Sequence, residues 1–575
     1  MQQTKPLFII RKYRSILRAS VIVEAVLFIA SLTDSIVAGN ALGEEALAAI
    51  GLIAPFFTFS VFVSVIVSSG TAKQYSYYVG SFDKRRALEF FSQGAVLAIA
   101  AGAVYAGALL LFREAILSHI ADPGEIRRYA QEYYDVMLLF FFLNPLLYLL
   151  DVMLVADGGE KLSALSNATS IALNVALSVL FVGRWGVRGV AVATVLSRLA
   201  FILFVCLHFF DRKNTLRLIF HWKGADIFTI VRGGFVIAST YALEALTIFV
   251  LNLFAVRFFD GDTLILLVMA ERFLGLLTVF LGLSMSTQSL IGTLNGEKNS
   301  RALRELMKTA CRYMISAGVL LTLFTQLFAP FLVRAFGIDD GALPDQGVVA
   351  LRIVSVTLVF HALLALFFTF YYLIGRELLA FAVGVLKGLL SPLVLAILLS
   401  VLTDSRTGLW VGLTAAPVVS LLVCAWGICR KCGRERFPFL IPKETDEKIF
   451  IYDFDVSPEN AAAMSRTAGE LLRSLSVSGR VCTMAGLFIE ELLLLVREKN
   501  AGQKKLYAEC TLIAESVGVR LILRDSGAVF DITDEDALAD SFRQYVVANM
   551  MTTQKTKAYM TTTGYNRNEL FFADP

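Results

Sequence analysis

The sequence predicts an α-helical polytopic membrane protein, with twelve transmembrane helices in two six-helix lobes and a small cytoplasmic α+β domain. Hydrophobic residues make up 57% of the chain and charged residues only 17%, whereas soluble domains have about 45–50% and about 25%. Mean hydropathy is +0.68. Long apolar runs recur to about residue 430, and a charged, mixed sequence follows from about residue 440.

The transmembrane helices are predicted from run length, since about 20 apolar residues cross the hydrocarbon core. Short connectors that contain Gly, such as 183–186 and 260–262, separate most of the runs. The predicted spans are 16–37, 50–70, 90–112, 131–154, 163–183, 189–210, 230–256, 263–290, 309–331, 349–374, 378–402 and 408–429.

The orientation is predicted from Lys and Arg, which favour cytoplasmic loops. Sixteen of these residues lie in or beside the loops on the N-terminal side and eight on the opposite side, and a basic N-terminus adds to the bias. We therefore expect a multi-pass protein of the plasma (inner) membrane with both termini cytoplasmic. The first apolar run lacks a small-residue cleavage pattern, which predicts a retained helix.

An internal repeat divides the membrane part into halves. The segments VGSFDKRRALEF (79–90) and NGEKNSRALREL (295–306) each join the second and third predicted spans of a six-helix half. Two such repeats are typical of transporters, which hold substrate between the repeats. The predicted units are an N-lobe (1–220), a C-lobe (221–437) and a cytoplasmic domain (445–575).

Ionisable side chains inside spans are energetically costly and usually functional. Asp34 lies in the first span and could hold a proton or Na⁺, or serve as a polar interhelical contact. Glu244 is its counterpart in the second half. Asn174, Ser178 and Thr194 are neutral oxygen donors on the fifth and sixth spans, where each could also be a helix-packing hydrogen-bonder.

Basic residues and cysteines add weaker indications. Arg198 and Lys387 lie within or near spans and could offset acids across a cavity. The net charge of +4 is too mild to indicate a nucleic-acid partner. Cys429 and Cys432 have no second pair of ligands nearby, so no metal site is predicted.

Several segments of the membrane part resemble the MATE (multidrug and toxic compound extrusion) family. They are DSIVAGNALGEEALAAIGLIAP (34–55), VADGGEKLSALSNATSIALN (155–174) and GVRGVAVATVLS (186–197). The resemblance implies a twelve-helix, two-lobed exporter that exchanges a cytoplasmic compound for external Na⁺ or H⁺. It implies that Asp34 is the coupling acid, with Asn174 and Thr194 as nearby ligands. Some members carry an acid where this chain has Ser178, and some carry one that Glu244 resembles.

The C-terminal part reads as one α+β domain, with a helix over 481–496 and strands over 506–513 and 519–523. The segments AGLFIEELLLLV (485–496), LILRDSGAVFD (521–531) and TTGYNRNEL (562–570) resemble the anti-sigma-factor-like histidine-kinase ATPase fold. The resemblance implies a nucleotide-like site with Glu491, Asp525 and Gly527. The family's Mg²⁺-binding Asn is Leu495 here, which indicates a degenerate regulatory domain without kinase activity.

The leading functional hypothesis is a secondary active transporter that exports cationic or amphipathic compounds in exchange for Na⁺ or H⁺. It is not expected to be an enzyme, and no cofactor is expected beyond the coupling ion. The expected partners are a small-molecule substrate, membrane lipid and a cytoplasmic protein that binds 445–575, with a monomer as the working unit. The alternatives are a flippase for lipid-linked precursors and a membrane-bound signalling protein that acts through its C-terminal domain.

Overall fold

The fold is known from a computed structural model that describes most of the chain. The described residues are 8–22, 41–42, 44–81, 83–120, 124–210, 214–219, 224–259, 261–274, 280, 282–284, 286–335, 343–433, 449–503, 505–515, 518–528, 543, 545–547, 549, 556–562 and 565–573.

The N-lobe consists of long helices that pack side by side. They are α1 (8–22), α2 (Glu44–Gly80), α3 (Lys84–Leu111), α4 (Arg113–Ile120), α5 (Glu125–Ala156) and α6 (Glu160–Cys206). A short 3₁₀ turn, Leu207–Phe210, ends the lobe.

The C-lobe repeats this pattern with more broken helices. Its elements are α7 (Gly224–Phe258), α8 (Gly261–Leu274), α9 (Gln288–Gly296), α10 (Ser300–Ala335), α11 (Leu343–Ser355), α12 (Leu358–Leu373), α13 (Glu377–Val385), a π-helical turn (Leu386–Leu390), α14 (Ser391–Thr403) and α15 (Arg406–Cys432).

Helix α6 contains two of the predicted spans. As one straight helix its 47 residues would reach about 70 Å, more than twice the hydrocarbon core. The chain instead breaks at Gly186, whose φ of +57° favours glycine. Asn174 donates to Thr194 over 3.0 Å and Ser170 donates to the carbonyl of Ser197 over 2.8 Å. The two halves therefore form an antiparallel helical hairpin, and its two helices correspond to the predicted spans 163–183 and 189–210.

The predicted fold class is confirmed. Among the described residues, eight helices are long and apolar enough to cross a membrane, or nine if α11 and α12, bent by 40°, form one span. This count takes the α6 hairpin as one helix. The first predicted span is described only as far as residue 22, and residues 275–279, 281 and 285 of the eighth lie outside the described part.

The C-terminal domain is a five-stranded antiparallel sheet with two helices. The strands β1 (Ile449–Asp455), β2 (Tyr507–Glu515), β3 (Gly518–Asp525), β4 (Thr556–Thr562) and β5 (Tyr565–Ala573) lie in the order β1-β2-β3-β5-β4. The helices are α16 (Pro458–Ser474) and α17 (Gly479–Lys499). The predicted helix and the two predicted central strands are thus confirmed as α17, β2 and β3.

The sheet of the C-terminal domain is buried on both faces. Alternate residues such as Leu521 and Leu523 point to α16 and α17, with which they form one apolar cluster. The intervening residues, including Ile451, Ile522 and Tyr565, belong to the apolar core of the membrane domain. Since successive side chains of a strand point to opposite faces, one face packs against the helices and the other against the lobes.

Candidate functional site

The two lobes meet where α2 of the N-lobe crosses α7 of the C-lobe. A Cβ atom on Gly70 would lie 2.0 Å from the carbonyl oxygen of Ile230, and one on Gly234 would lie 1.7 Å from that of Ile66. Neither distance leaves room for a side chain, so the glycines allow the two backbones to touch. Beside this crossing, the Tyr372 hydroxyl donates to the carbonyl of Ser69 over 3.0 Å.

Ion pairs join the lobes near the same crossing. Lys73 of α2 lies 2.6 Å from Glu377 at the start of α13; the Lys73 side chain is buried and the Glu377 side chain is half-buried. Arg86 of α3 binds Asp226 of α7 with two nitrogens, each 3.0 Å from an oxygen. These contacts hold the lobes together at one end of the bundle, which carries residues 79–81 and 295–299. We call it the docking end because the C-terminal sheet lies against it.

A cavity of about 380 Å³ lies between the lobes. Its lining combines apolar side chains with hydroxyl, amide and charged groups, which is typical of small-molecule sites. The polar lining residues include Ser68, Ser69, Asn144, Asp151, Glu160, Ser163, Asn167 and Arg198 from the N-lobe, and Thr240, Tyr241, Ser286, Gln288, Ser289, Thr369 and Lys387 from the C-lobe.

Asp151 of α5 is the centre of a polar cluster on the N-lobe wall of the cavity. The Ser163 hydroxyl donates to its carboxylate over 2.5 Å and the Asn167 amide over 3.3 Å. Arg198, from the second half of the α6 hairpin, is close enough to stabilise the Asp151 charge. A buried carboxylate with these neighbours can hold a proton, or accept a small cation in exchange for one of its donors.

A second carboxylate of the cavity is bound by helix α1. Glu160, the first residue of α6, lies 2.8 Å from Lys12 and accepts a hydrogen bond of 2.9 Å from Ser15. The Glu160 side chain is buried, so its charge needs this partner. The contacts fix α1 against the N-lobe wall, and Ala19 and Ser20 of α1 then line the cavity.

On the C-lobe side the cavity is reached by a lysine from a π-helical turn. Lys387 lies 3.3 Å from Glu244 of α7 and also lines the cavity. The Thr247 hydroxyl donates to the carbonyl of Gly388 over 2.5 Å, so this carbonyl of the π-helical turn has a hydrogen-bond partner on α7. The predicted residue Glu244 is therefore paired with Lys387, and 42% of its side chain is exposed.

The predicted N-lobe residues lie on the α6 hairpin, beyond the Asp151 cluster. Asn174 and Thr194 are buried and hydrogen-bonded to each other, and the buried Ser178 hydroxyl has no hydrogen-bond partner among the described residues. Asn174 lies seven positions after Asn167, a rise of about 10 Å along the helix. The coupling acid predicted from the sequence, Asp34, lies outside the described residues.

Sequence reasoning missed Asp151 and Glu160. Asp151 lies inside the predicted span 131–154, so the rule that flags intramembrane acids could have found it. Glu160 lies between two predicted spans and gave no such signal. Arg198 and Lys387 were predicted to offset acids across the cavity, and both line it.

In the C-terminal domain, the residues of the predicted nucleotide-like site bind other protein groups: Asp525 contacts Gly527, and Glu491 pairs with a different residue. The buried Asp525 carboxylate accepts hydrogen bonds from the Gly527 amide over 2.9 Å and from Asn566 over 2.8 Å. Glu491, on α17, lies 3.5 Å from Arg543. The geometry shows Asp525 closing the turn after β3 and joining it to β5, which is a structural role for this residue.

Two helical lobes that enclose a cavity with polar groups on its walls, within membrane-spanning helices, define a polytopic membrane transporter. The sequence matches the MatE family over residues 19–180 and 237–402, more than half of the chain, and the chain belongs to this family. The matched residues end at 402, so the resemblance of the C-terminal domain to an ATPase fold stays a prediction. Among curated proteins, none matches the chain significantly.

Solved structures with the same fold are MATE and MOP-superfamily transporters. An outward-facing multidrug resistance MATE family transporter is 23% identical, covers 76% of this chain and 100% of its own, and gives a TM-score of 0.69. A MATE structure in the bent conformation is 22% identical, covers 76% and 99%, and gives 0.68. A transporter from Pyrococcus furiosus, described as having a binding pocket of reverse polarity that suggests a different function, is 22% identical, covers 75% and 98%, and gives 0.67.

Proposed function

We propose that this transporter exports cationic or amphipathic compounds from the cytoplasm in exchange for Na⁺ or H⁺. The observation that carries the proposal is the Asp151 cluster, a carboxylate on the wall of an interlobe cavity that is surrounded by hydroxyl and amide groups. Intramembrane acids in such positions mark ion and substrate pathways. Hard cations take oxygen ligands, and Asp151, Ser163 and Asn167 offer three.

Exchange would follow from competition for one negative charge. When Asp151 is ionised, its carboxylate offsets Arg198 and leaves the cavity able to hold a cationic compound. When a proton or Na⁺ occupies Asp151, the negative charge of Asp151 is neutralised, the cavity gains one unit of positive charge, and a cationic compound binds less tightly. The coupling ion would then lower affinity for the substrate on the side where the ion enters, which alternating access requires.

The membrane potential supplies energy only to the extent that net charge moves. A neutral amphipathic compound exchanged for one Na⁺ or H⁺ moves one elementary charge, which across 100 mV is worth about 2.3 kcal/mol. That energy corresponds to a substrate concentration ratio of about fifty, since 1.4 kcal/mol is a factor of ten. A monovalent cationic compound exchanged one for one moves no net charge, so its export draws on the concentration gradient of the coupling ion.

The test is efflux of a cationic dye from proteoliposomes under an imposed Na⁺ or pH gradient. We expect gradient-dependent efflux from the wild-type protein and its loss in Asp151→Asn, which keeps the shape of the side chain but cannot be charged. Asp34→Asn tests the acid predicted from the sequence. The matched control is Asp135→Asn on the same helix, because Asp135 is 46% exposed and pairs with Arg113 away from the cavity.

The outcomes separate the proposal from its main rival. Efflux that Asp151→Asn leaves unchanged would move the coupling site to Asp34 or Glu244. Efflux of no dye under either gradient, together with movement of a lipid that has an anionic headgroup, would favour the flippase. That reading has one observation in its support, since Arg198 and Lys387 both present positive charge to the cavity.

A further inference from the structure

The segments that form the internal repeat touch each other at the docking end. A Cβ atom on Gly80 would lie 2.2 Å from the carbonyl oxygen of Thr293, and one on Gly296 would lie 2.3 Å from that of Tyr77. Gly80 and Tyr77 belong to the N-lobe and Thr293 and Gly296 to the C-lobe, so a glycine of each lobe touches the backbone of the other. The lobes are therefore closed at this end, with backbone against backbone.

The C-terminal sheet presents two arginines to this contact. Arg524 of β3 and Arg567 of β5 are directly opposite in the strand register, and neither side chain is exposed. Both approach Glu297, which follows α9 and is also fully buried: Arg524 forms an ion pair with it, and Arg567 Nε lies 3.1 Å from its Oε1. A neighbouring strand contributes Glu509, which pairs with Arg524.

Arg567 contacts both lobes with one guanidinium group. Its terminal nitrogens donate to the carbonyl of Val79 over 3.0 Å and to that of Gly80 over 2.8 Å, at the end of α2 in the N-lobe. Its Nε lies within ion-pair distance of Glu297 in the C-lobe. Because a guanidinium is planar and its donors are fixed in a fork, it can hold both partners only while they stay adjacent. Hydrogen bonds are lost beyond about 3.5 Å.

Further contacts connect other strands of the sheet to the membrane domain. The Phe8 amide of α1 donates to Asp453 of β1 over 2.7 Å, and the Phe8 ring packs edge-on against Tyr565 at 5.1 Å. Arg301 of α10 donates to the carbonyl of Ile449 over 3.0 Å. The sheet is thus attached to the N-terminal helix and to the C-lobe, and Arg567 binds both lobes. If the lobes move apart at this end, the sheet cannot keep its contacts to both of them.

We propose that the C-terminal domain is an autoinhibitory clamp that binds the membrane domain only while the two lobes are closed at the docking end. A domain that binds one of two conformations shifts the equilibrium toward that conformation by its differential affinity. Opening at the docking end requires the sheet to release Val79 and Gly80, or Glu297. The inhibitory consequence rests on the proposed function, since an exporter that alternates must open this end to load its substrate.

The test measures opening at the docking end in the full-length protein, reconstituted in lipid nanodiscs. Spin labels on Arg85→Cys of α3 and Lys308→Cys of α10, both exposed, report the distance between the lobes by double electron–electron resonance. Native cysteines are replaced in this background. The variants are Arg567→Ala and Glu297→Gln. The second leaves the C-terminal domain unaltered, so it keeps the test decisive if Arg567→Ala unfolds that domain.

The matched control is Arg520→Ala on β3. Arg520 lies on the same strand and face as Arg524, but its partners Glu515 and Glu569 belong to the sheet itself. Glu569 also lies 3.3 Å from Arg567, whose contacts to Val79 and Gly80 this substitution leaves in place. We expect Arg567→Ala and Glu297→Gln to raise the ratio of open to closed molecules about tenfold, as the loss of a charged hydrogen bond allows. Arg520→Ala should leave the distance distribution unchanged.

The distance readout needs no substrate, so it separates this proposal from the proposed function. Distances in both variants that match the wild-type protein would overturn the clamp. Wider distances in both variants, together with faster gradient-driven dye efflux, would support the clamp and the exporter. Wider distances without dye efflux under any gradient would support the clamp and contradict the exporter.

Discussion

The backbone contact between α2 and α7 can be tested with alanine substitutions at two adjacent glycines of α7, Gly233 and Gly234. Only the second glycine touches the other lobe closely, so the pair shows whether this contact controls closure of the lobes. A Cβ atom on Gly234 would lie 1.7 Å from the Ile66 oxygen, so Gly234→Ala forces the backbones apart by about 1.5–2 Å if normal contact is to be restored. The neighbouring Gly233 would place its Cβ 3.8 Å from the Tyr372 hydroxyl, an ordinary contact distance, so Gly233→Ala fits without movement.

The magnitude follows from the cost of overpacking. Forcing an extra methyl group into a well-packed contact costs about 1–3 kcal/mol, and 1.4 kcal/mol is a factor of ten. If this cost falls on the closed conformation alone, Gly234→Ala raises the ratio of open to closed molecules by about 5- to 150-fold. Alanine also favours the helix over glycine by about 1 kcal/mol, but this gain is common to both variants and to both conformations.

The assay is the distance between labelled lobes in nanodiscs, measured for both variants beside the unsubstituted protein. We expect a larger open population in Gly234→Ala and an unchanged one in Gly233→Ala. If the two variants gave the same distance distribution, the backbone contact would not control closure, and the reasoning from the glycine geometry would be refuted.

Three further predictions concern stability and reactivity. Asn174→Ala removes the hydrogen bond to Thr194 and should destabilise the purified protein by about 1 kcal/mol, seen as a lower thermal unfolding midpoint. The backbone amide of Glu459, at the start of α16, lowers the pKa of the Glu459 carboxyl group. The stability that this contact gives is present above the ordinary Glu pKa of about 4.3 and is lost as pH falls through the lowered pKa of the folded state. Glu459→Gln should therefore reduce the loss of C-terminal domain stability at acid pH, measured by unfolding at a series of pH values. Burial raises the pKa of the Cys510 thiol, so iodoacetamide should modify Cys510 in denaturant and leave it unmodified in the folded protein at pH 8, as mass spectrometry of the peptide would report.

The helical framework could be predicted from the sequence because membrane spans depend on local properties. Run length and hydropathy are enough to place a helix, and the break at Gly186 falls in a short Gly-bearing connector that the sequence shows directly. The strands β2 and β3 were also predictable, since their apolar residues alternate or form short runs. In each case the properties that determine the helix or strand lie within one segment of the chain.

The candidate site was harder to predict because it depends on how separate helices face each other. Asp151, Ser163 and Arg198 come from two helices and both halves of a hairpin, and only the tertiary fold shows that they share one wall. Arg524 and Arg567 lie in segments that resemble an ATPase fold, and that resemblance does not indicate what they bind. Their place on the face opposite α16 and α17 follows from strand alternation, but their binding partner, Glu297, is more than 200 positions away.

The doubly buried sheet has a consequence for how the protein is made. The face that meets the lobes carries Ile449, Ile451, Ile513, Ile522 and Tyr565, each less than a tenth exposed. In an isolated C-terminal fragment these side chains would form an exposed apolar patch, which is an aggregation hazard. Since a ribosome synthesises the lobes first, their surface is already available when the sheet emerges, and the membrane domain can act as a folding template for the domain that follows it.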